Sequence, residues 1–375
     1  MNKLKIFLEE SFSALKEWRS LKNIHIVLGN ESCDLDSTIS SLAYGYLLSE
    51  KLNSGKSSEV AVFPVLNVSA EDFAIRVEHC TLLKNVGIDL NKLIYRSKLK
   101  LDELIKEKKD SIKSYLVDHH VLSKNDEILK DTVCRIFDHR PINLDVKWSS
   151  TVRLRIEPVG SCATLITDEF FNDKQDLSKE LAHLLYCTIV FDTLGLLPEN
   201  KKATPLDIET AKKLETKFNF NESRLELFQK IVKLHSDVSH LTPHQLLIRD
   251  LKYVDNIPLP SLPMLVESFL KLHEVEKSLE DMGAKKKTPF IVLIGIEAKP
   301  DVKRDVALFF TTDEVNSKHL LVNFFKNRSE FQFEEISCNV NNVVLLRQLN
   351  IQHSRKQVIP IVQEFLQRQR NILTN

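Results

Sequence analysis

The sequence predicts an α/β protein: an N-terminal, mostly parallel sheet flanked by helices, followed by a smaller C-terminal α/β domain. Three observations carry this. Short apolar runs of strand length alternate with helix-like stretches, the rhythm of βαβ units. Four apolar segments finish in aspartate, at Asp34/Asp36, Asp118, Asp138 and Asp192. From about residue 222 the pattern changes, which divides the chain into domains at 1–221 and 222–375.

The first residues, MNKLKIFLEESFSALKEWRSL, read as an amphipathic helix with Leu4, Leu8, Phe12 and Leu15 along one side. Residues 24–28 form an apolar run that Gly29 breaks, and Ser37 opens a helix-like segment, TISSLAYGYLLSEKL. EVAVFPVLNVS is a second strand, and IDLNKLIYRSKLKLDELIKEKK is charged and helical, with Lys106 to Lys109 on a solvated face. SYLVDHHVLS is a strand running into Asp118, and ILKDTVCRIFDHRPI one running into Asp138. PVGSCATLITDEFF turns at Gly160 and Ser161 into a helix; LAHLLYCTIVFDTLGLL is an apolar segment ending in Asp192 and Thr193. Beyond residue 222, ELFQKIVKLHSDVSHLTPHQLLIRDLKYV is helical with breaks. TPFIVLIGIEA and RDVALFFTT are strand-like, and RKQVIPIVQEFLQRQRN is mostly helical. Lys285, Lys286 and Lys287 read as a surface loop.

Composition narrows the function classes. With 43% hydrophobic and 28% charged residues, the 375-residue chain has ordinary globular composition and can bury sizeable cores. Zero formal net charge leaves no overall electrostatic footprint for nucleic acid. Six scattered cysteines without a CxxC pair argue for free thiols in a reducing compartment, not a disulfide framework or zinc ribbon. No run approaches the roughly 18 apolar residues of a membrane span. Glu9, Glu10 and Glu17 oppose a transit peptide, so the cytoplasm is the expected location. With only eight glycines there is neither a GxGxxG fingerprint nor a Walker loop.

Carboxylates at the carboxyl edge of a parallel sheet sit where open α/β folds bind ligands. Asp34 and Asp36 suit a hard divalent cation. Taken alone, either could simply cap the helix that follows. The recurrence of aspartate at Asp118, Asp138 and Asp192, with His139 beside Asp138, favours a metal centre, because such a cluster repels itself unless cations neutralise it.

The ordered set GNESCDLDS, LVDHHVLS, FDHRPI, VGSCAT, FDTLGL and SRKQVIP resembles the DHH phosphoesterase superfamily. Within it, the chain is similar to the prune branch, alongside exopolyphosphatases and manganese-dependent inorganic pyrophosphatases. By order, Asp118-His119-His120 matches the family's second motif, and the eponymous position falls on Asp138-His139-Arg140, where arginine replaces the last histidine.

The resemblance implies two divalent metal ions, Mg²⁺ or Mn²⁺, and hydrolysis by in-line attack of water on phosphorus. It assigns Asp34 to one metal, Asp36 to the other and Asp118 to a bridge, with His139 and Asp192 completing the second site. Asp138 would orient His139, and His119 would either do the same or have no role. Where the family's first motif usually carries histidine, this chain has Asn30. Losing an imidazole makes Mg²⁺ as plausible as Mn²⁺. Arg140 would offer phosphate a fixed charge and bidentate geometry. The C-terminal domain resembles the DHHA2 type that closes over the metal site. Its substrate cations correspond to Arg355, Lys356 and Lys252; for Lys252 a solvated surface position is the alternative. Nothing corresponds to the glycine-rich histidine motif of the oligonucleotide-degrading relatives.

The expected function is therefore a metal-dependent phosphohydrolase acting on short inorganic polyphosphates, with weak cyclic nucleotide phosphodiester cleavage as a secondary activity. Two alternatives stand beside it. One is an inorganic pyrophosphatase, from which Asn30 and Arg140 depart. The other is a scaffold that binds nucleoside diphosphate kinase or another partner with little turnover. Nucleic acid and membrane are not expected partners.

Overall fold

The computed structural model describes residues 2–53, 59–297, 301–311 and 315–374. Two compact units divide the chain, Met1–His235 and Ser236–Asn375.

The first unit is built on a sheet of β1 (Asn23–Leu28), β2 (Val60–Leu66), β3 (Ile94–Tyr95), β4 (Ile112–Val117), β5 (Val133–Asp138) and β6 (Arg153–Ile156). Its spatial order is β3-β2-β1-β4-β5-β6, and all its pairings are parallel. The helices are α1 (Lys3–Ala14), α2 (Leu35–Asn53), α3 (Ala70–Ala74), α4 (Val77–Asn85), α5 (Leu101–Lys108), α6 (Cys162–Asn172), α7 (Lys179–Asp192), α8 (Pro205–Phe218) and α9 (Arg224–Ser236). Alternate strand residues feed two cores. Val27, Val62, Val117 and Phe137 pack with α2, α6 and α7, whereas Ile26, Phe63, Leu116 and Ile136 pack with Leu104 of α5 and Trp18. Apolar faces on both sides explain why these strands read as near-continuous hydrophobic runs. Leu227 and Ile231 of α9 are buried in the first of these cores.

Three sequence expectations are corrected here. The apolar segment ending at Asp192 is α7, a helix, not a strand. It is apolar on nearly every side because it lies inside the core, where a helix loses its amphipathic stripe. Asp36 likewise lies in the first turn of α2, not at a strand end. The stretch read as one charged helix from residue 88 instead contains the short edge strand β3 before α5.

In the second unit, β7 (Leu251–Val254), β8 (Ile257–Leu262), β9 (Phe290–Glu297), β10 (Lys303–Phe310), β11 (Phe333–Ile336) and β12 (Val343–Gln348) form a mixed sheet in the order β11-β12-β10-β9-β8-β7. Among the described residues of this sheet, only the β8–β9 pairing is parallel. The helices are α10 (Pro243–Arg249), α11 (Val266–Phe269), α12 (Val275–Lys286), α13 (Val315–Lys326) and α14 (Arg355–Thr374). Leu321, Phe325, Val358 and Val362 of the last two cover Val292, Val306 and Leu346. Ala298 and Thr312, the last residues of two segments read as strands, lie outside the described residues. Lys285 and Lys286 belong to α12, and Lys287 ends it in a left-handed conformation, so the expected loop is a helix terminus.

Candidate metal centre

The polar cluster forms where β1, β4 and β5 leave the first sheet. Gly29 follows β1 because a Cβ there would lie 2.2 Å from Ser37 Oγ; the close approach lets that hydroxyl accept from Asn30 N at 2.7 Å. Asp34 is exposed and caps α2, its Oδ1 accepting from Ser37 N at 3.0 Å. Asp36, one turn in, is buried. Its Oδ2 accepts from Cys162 N at 2.5 Å and its Oδ1 from Ala163 N at 2.8 Å, so the positive end of α6 holds it. Burial, set against these amides and His139, still pushes its carboxyl above the usual value.

Asp118 immediately follows β4 with φ +60° and is fully buried. Its carboxyl is pushed up to about 8, first by burial and then by the charge of Asp36. Asp138 closes β5. Burial works to raise it, yet His120 and the amides of His139 and Arg140 hold it below the ordinary carboxylate value. His120 Nε2 accepts from Asn143 N at 2.8 Å, so its proton sits on Nδ1, against Asp138 Oδ2.

His139 Nδ1 donates to the Val159 carbonyl at 2.9 Å. Its Nε2 therefore faces Asp118 Oδ1 at 3.2 Å and Asp36 Oδ2 at 3.8 Å. A bare lone pair aimed at two carboxylates is repulsive, so this point requires a proton or a metal ion. Although burial opposes protonation, the two carboxylates raise the imidazole to about 9. Asp36, Asp118 and His139 offer ligand atoms within 4.8 Å of one another, two carboxylates and an imidazole fixed from behind by a backbone carbonyl, and this donor set fits a divalent cation. Asp192 is half-buried at the end of α7. Its carboxyl is driven well above normal by burial and by Asp36, and Ser161 Oγ donates to its Oδ2 at 2.8 Å. Gly160 precedes that serine because a Cβ would lie 2.5 Å from Thr193 Cγ2.

The residues read from the sequence fall into four groups. Asp36, Asp118 and His139 come together; Asp34 is near enough to act on the two carboxyls, and Asp36, Asp34 and Asp118 all act on Asp192. Asn30 and Arg140 both touch the Asp118 carboxylate, through Nδ2 and Nη1, each at 2.7 Å. His119 donates Nδ1 to the Val117 carbonyl at 2.9 Å and makes no hydrogen bond to the cluster. Arg355, Lys356 and Lys252 belong to the second unit. Arg355 Nη1 donates to the Asp250 carbonyl at 2.9 Å, just before the strand that carries Lys252; Lys356 and Lys252 are exposed. Sequence reasoning missed His120, whose partner lies 18 residues away, and the α6 amides that hold Asp36. The helix start was legible at Ser161, but its pairing with Asp36 spans more than 120 residues.

A family model described as the DHHA2 domain matches residues 229–365. Exopolyphosphatase PRUNE1 of Homo sapiens is 31% identical over 367 residues, covering 96% of this chain and 79% of its own. The chain belongs to the prune family of DHH phosphoesterases. Exopolyphosphatase PRUNE1 of Mus musculus is 29% identical over the same length, covering 78% of that relative. A manganese-dependent inorganic pyrophosphatase of Methanocaldococcus jannaschii is 33% identical over 150 residues, 37% of this chain and 47% of its own. Among the described residues, no helix is long and apolar enough to cross a membrane.

Proposed function

We propose that this chain is a metal-dependent phosphoanhydride hydrolase that releases terminal phosphate from short inorganic polyphosphates. One observation carries the reading: two buried carboxylates and an imidazole with its far nitrogen already committed converge within 4.8 Å. The names of the prune relatives, exopolyphosphatases, and of the manganese-dependent pyrophosphatase support the same reaction class. A bound divalent ion supplies Lewis acidity toward water and phosphate and neutralises charge in the transition state. Mg²⁺ and Mn²⁺ both suit a set of carboxylates with one imidazole.

The chain's own residues do the positioning. Asp36 is locked by the α6 amides, Asp118 by Asn30 and Arg140, and His139 by Val159. Such fixed groups need no reorganisation when charge develops on phosphorus. Arg140 commits Nη1 to the carboxylates while 44% of its side chain stays exposed, leaving other guanidinium donors for phosphate oxygens. Arg355, Lys356 and Lys252 are proposed to hold the rest of the oligophosphate. Asp34 and Asp192 are proposed as outer carboxylates of the centre, and residues 222–375 as the substrate-binding domain.

Metal dependence tests the proposal. Phosphate release from tripolyphosphate should require Mg²⁺ or Mn²⁺, stop with chelator and be lost in Asp118→Asn. Equal release by Asp118→Asn, or release that persists in chelator, would refute the assignment. A scaffold without turnover gives no reason for a carboxylate as strongly destabilised by burial as Asp118.

A further inference from the structure

Asp118 is hemmed in on two sides by hydrogen-bond donors. Asn30 Nδ2 donates to its Oδ2 at 2.7 Å, and Arg140 Nη1 donates to its Oδ1 at 2.7 Å. The asparagine amide is not free to turn over. Its Oδ1 accepts from Cys33 N at 2.9 Å and lies 2.7 Å from Ser32 Oγ, so a flip would set NH₂ against a backbone N–H and leave that N–H without an acceptor. The guanidinium is fixed as firmly. Nη1 also donates to Asp138 Oδ1 at 3.1 Å and to the Asp118 carbonyl. Asp138 in turn is held by His120 Nδ1 and by the amides of His139, at 2.7 Å, and Arg140, at 3.2 Å.

A carboxylate that bridges two metal ions about 3.5–4 Å apart must present lone pairs in two cation-accessible directions. Here an N–H donor already takes one lone pair of each oxygen, Asn30 at Oδ2 and Arg140 at Oδ1, and the full positive charge of the guanidinium repels a second cation on that carboxylate. The carboxylate that would serve a second ion from the α2 side, Asp34, accepts from Ser37 N with Oδ1 and has Ser32 Oγ 3.0 Å from Oδ2. The first ion has its place where Asp118 Oδ1 lies 3.2 Å from His139 Nε2, with Asp36 Oδ2 3.8 Å from the same nitrogen.

We infer that the centre binds one divalent ion, among Asp36, Asp118 and His139, and that the Arg140 guanidinium stands as a permanent second cation on Asp118 while Asn30 closes the other side. This departs from the two-ion expectation drawn from the family resemblance. It rests on the proposed metal-dependent function but concerns the number of ions, not the reaction. In a one-ion centre of this kind, half of the cationic clamp on phosphate survives chelation, because arginine cannot be removed by a chelator and stays charged at any working pH.

Ion counting tests the inference without turnover. The full chain, stripped of metal, is titrated with Mn²⁺ in the absence of phosphate, and bound Mn²⁺ is measured by electron paramagnetic resonance. The expected result is one Mn²⁺ per chain with the spectrum of an isolated ion. In Asn30→His/Arg140→His, whose folding is checked by its melting curve, a second Mn²⁺ and a spin-coupled spectrum are expected. Two coupled Mn²⁺ ions in the wild type would overturn the inference and leave the metal-dependent function standing. A correctly folded double variant that still binds only one ion would overturn the role given to Asn30 and Arg140. No tight Mn²⁺ binding to the wild type would overturn the metal reading itself.

Discussion

Two buried aspartates, one in each unit, are held in nearly the same way. Asp36 accepts from the amides of Cys162 and Ala163 at the start of α6, and Asp305 accepts from the amides of Val266 and Glu267 at the start of α11, at 2.7 and 3.0 Å. Burial pushes both carboxyls above their ordinary value. Even the close approach is shared: a Cβ at Gly295 would lie 2.2 Å from Asp305 Oδ1, as one at Gly29 would crowd Ser37. What differs is the company. Arg347 lies near Asp305 and helps to hold it ionised, so that carboxylate serves as an internal helix cap. Asp36 faces Asp118 and His139, which leaves negative charge and a lone pair directed at one point. An amide cradle fixes an aspartate; a second carboxylate and an imidazole are what make the Asp36 site the proposed metal centre.

Substitutions separate these two roles. The largest effect is expected for Asp118→Asn, which should lower metal-dependent phosphate release by about three orders of magnitude. Its fold should survive with a lower metal-free melting temperature, because the new amide nitrogen must face one of the two donors that the carboxylate accepts from. Next, Asp305→Ala should cost about 3 kcal/mol of stability, since two amides lose a charged acceptor, while Mn²⁺ binding stays unchanged. Denaturant titration beside Mn²⁺ binding checks this. A variant that lost metal affinity would erase the distinction drawn between the two aspartates.

The pH dependence sharpens the same contrast. Asp118 at about 8 and His139 at about 9 both lie above their unfolded values, so the folded metal-free chain binds more protons than the unfolded one. Its stability should therefore fall as pH rises from the unfolded values, 3.8 for Asp118 and 6.5 for His139, to about 8 and about 9, and level off above them. Metal must displace those protons, so the rise in melting temperature caused by Mn²⁺ should grow from pH 6 towards pH 9. Asp305→Ala should show the same growth, and Asp118→Asn almost none. The smallest effect is expected at Arg355. Arg355→Ala should raise KM for tripolyphosphate by about tenfold or less, the scale of one charge-assisted contact, with Mn²⁺ affinity unchanged. Unaltered KM would leave Arg355 with only its structural bond to Asp250.

The sequence displayed the parallel sheet well, because strands buried on two faces read as apolar runs with aspartate at their ends. It displayed α7 poorly for the same reason: a helix buried on all sides carries no stripe to betray its period. Strand β8, one in from the edge strand β7, stayed hidden because Pro258 and Pro260 discourage a strand reading, although β8 pairs with β7 across both prolines. At the centre, residue types were legible and their partners were not. Nothing local to Asn30 shows that its amide reaches Asp118, 88 residues on, whereas the helix cap at Asp34 was one of the readings its position offered. The change from histidine to arginine at Arg140 was visible; that the guanidinium lies on Asp118 required three dimensions.

The account is tested most directly by initial rates of phosphate release from tripolyphosphate, tetrapolyphosphate and pyrophosphate, measured in parallel with Mg²⁺ and with Mn²⁺ and with Asp118→Asn as the control. The account predicts release by the wild type alone, fastest on the three- and four-phosphate chains. Release confined to pyrophosphate would contradict the substrate assignment, and release equal to the control on all three would contradict the enzyme.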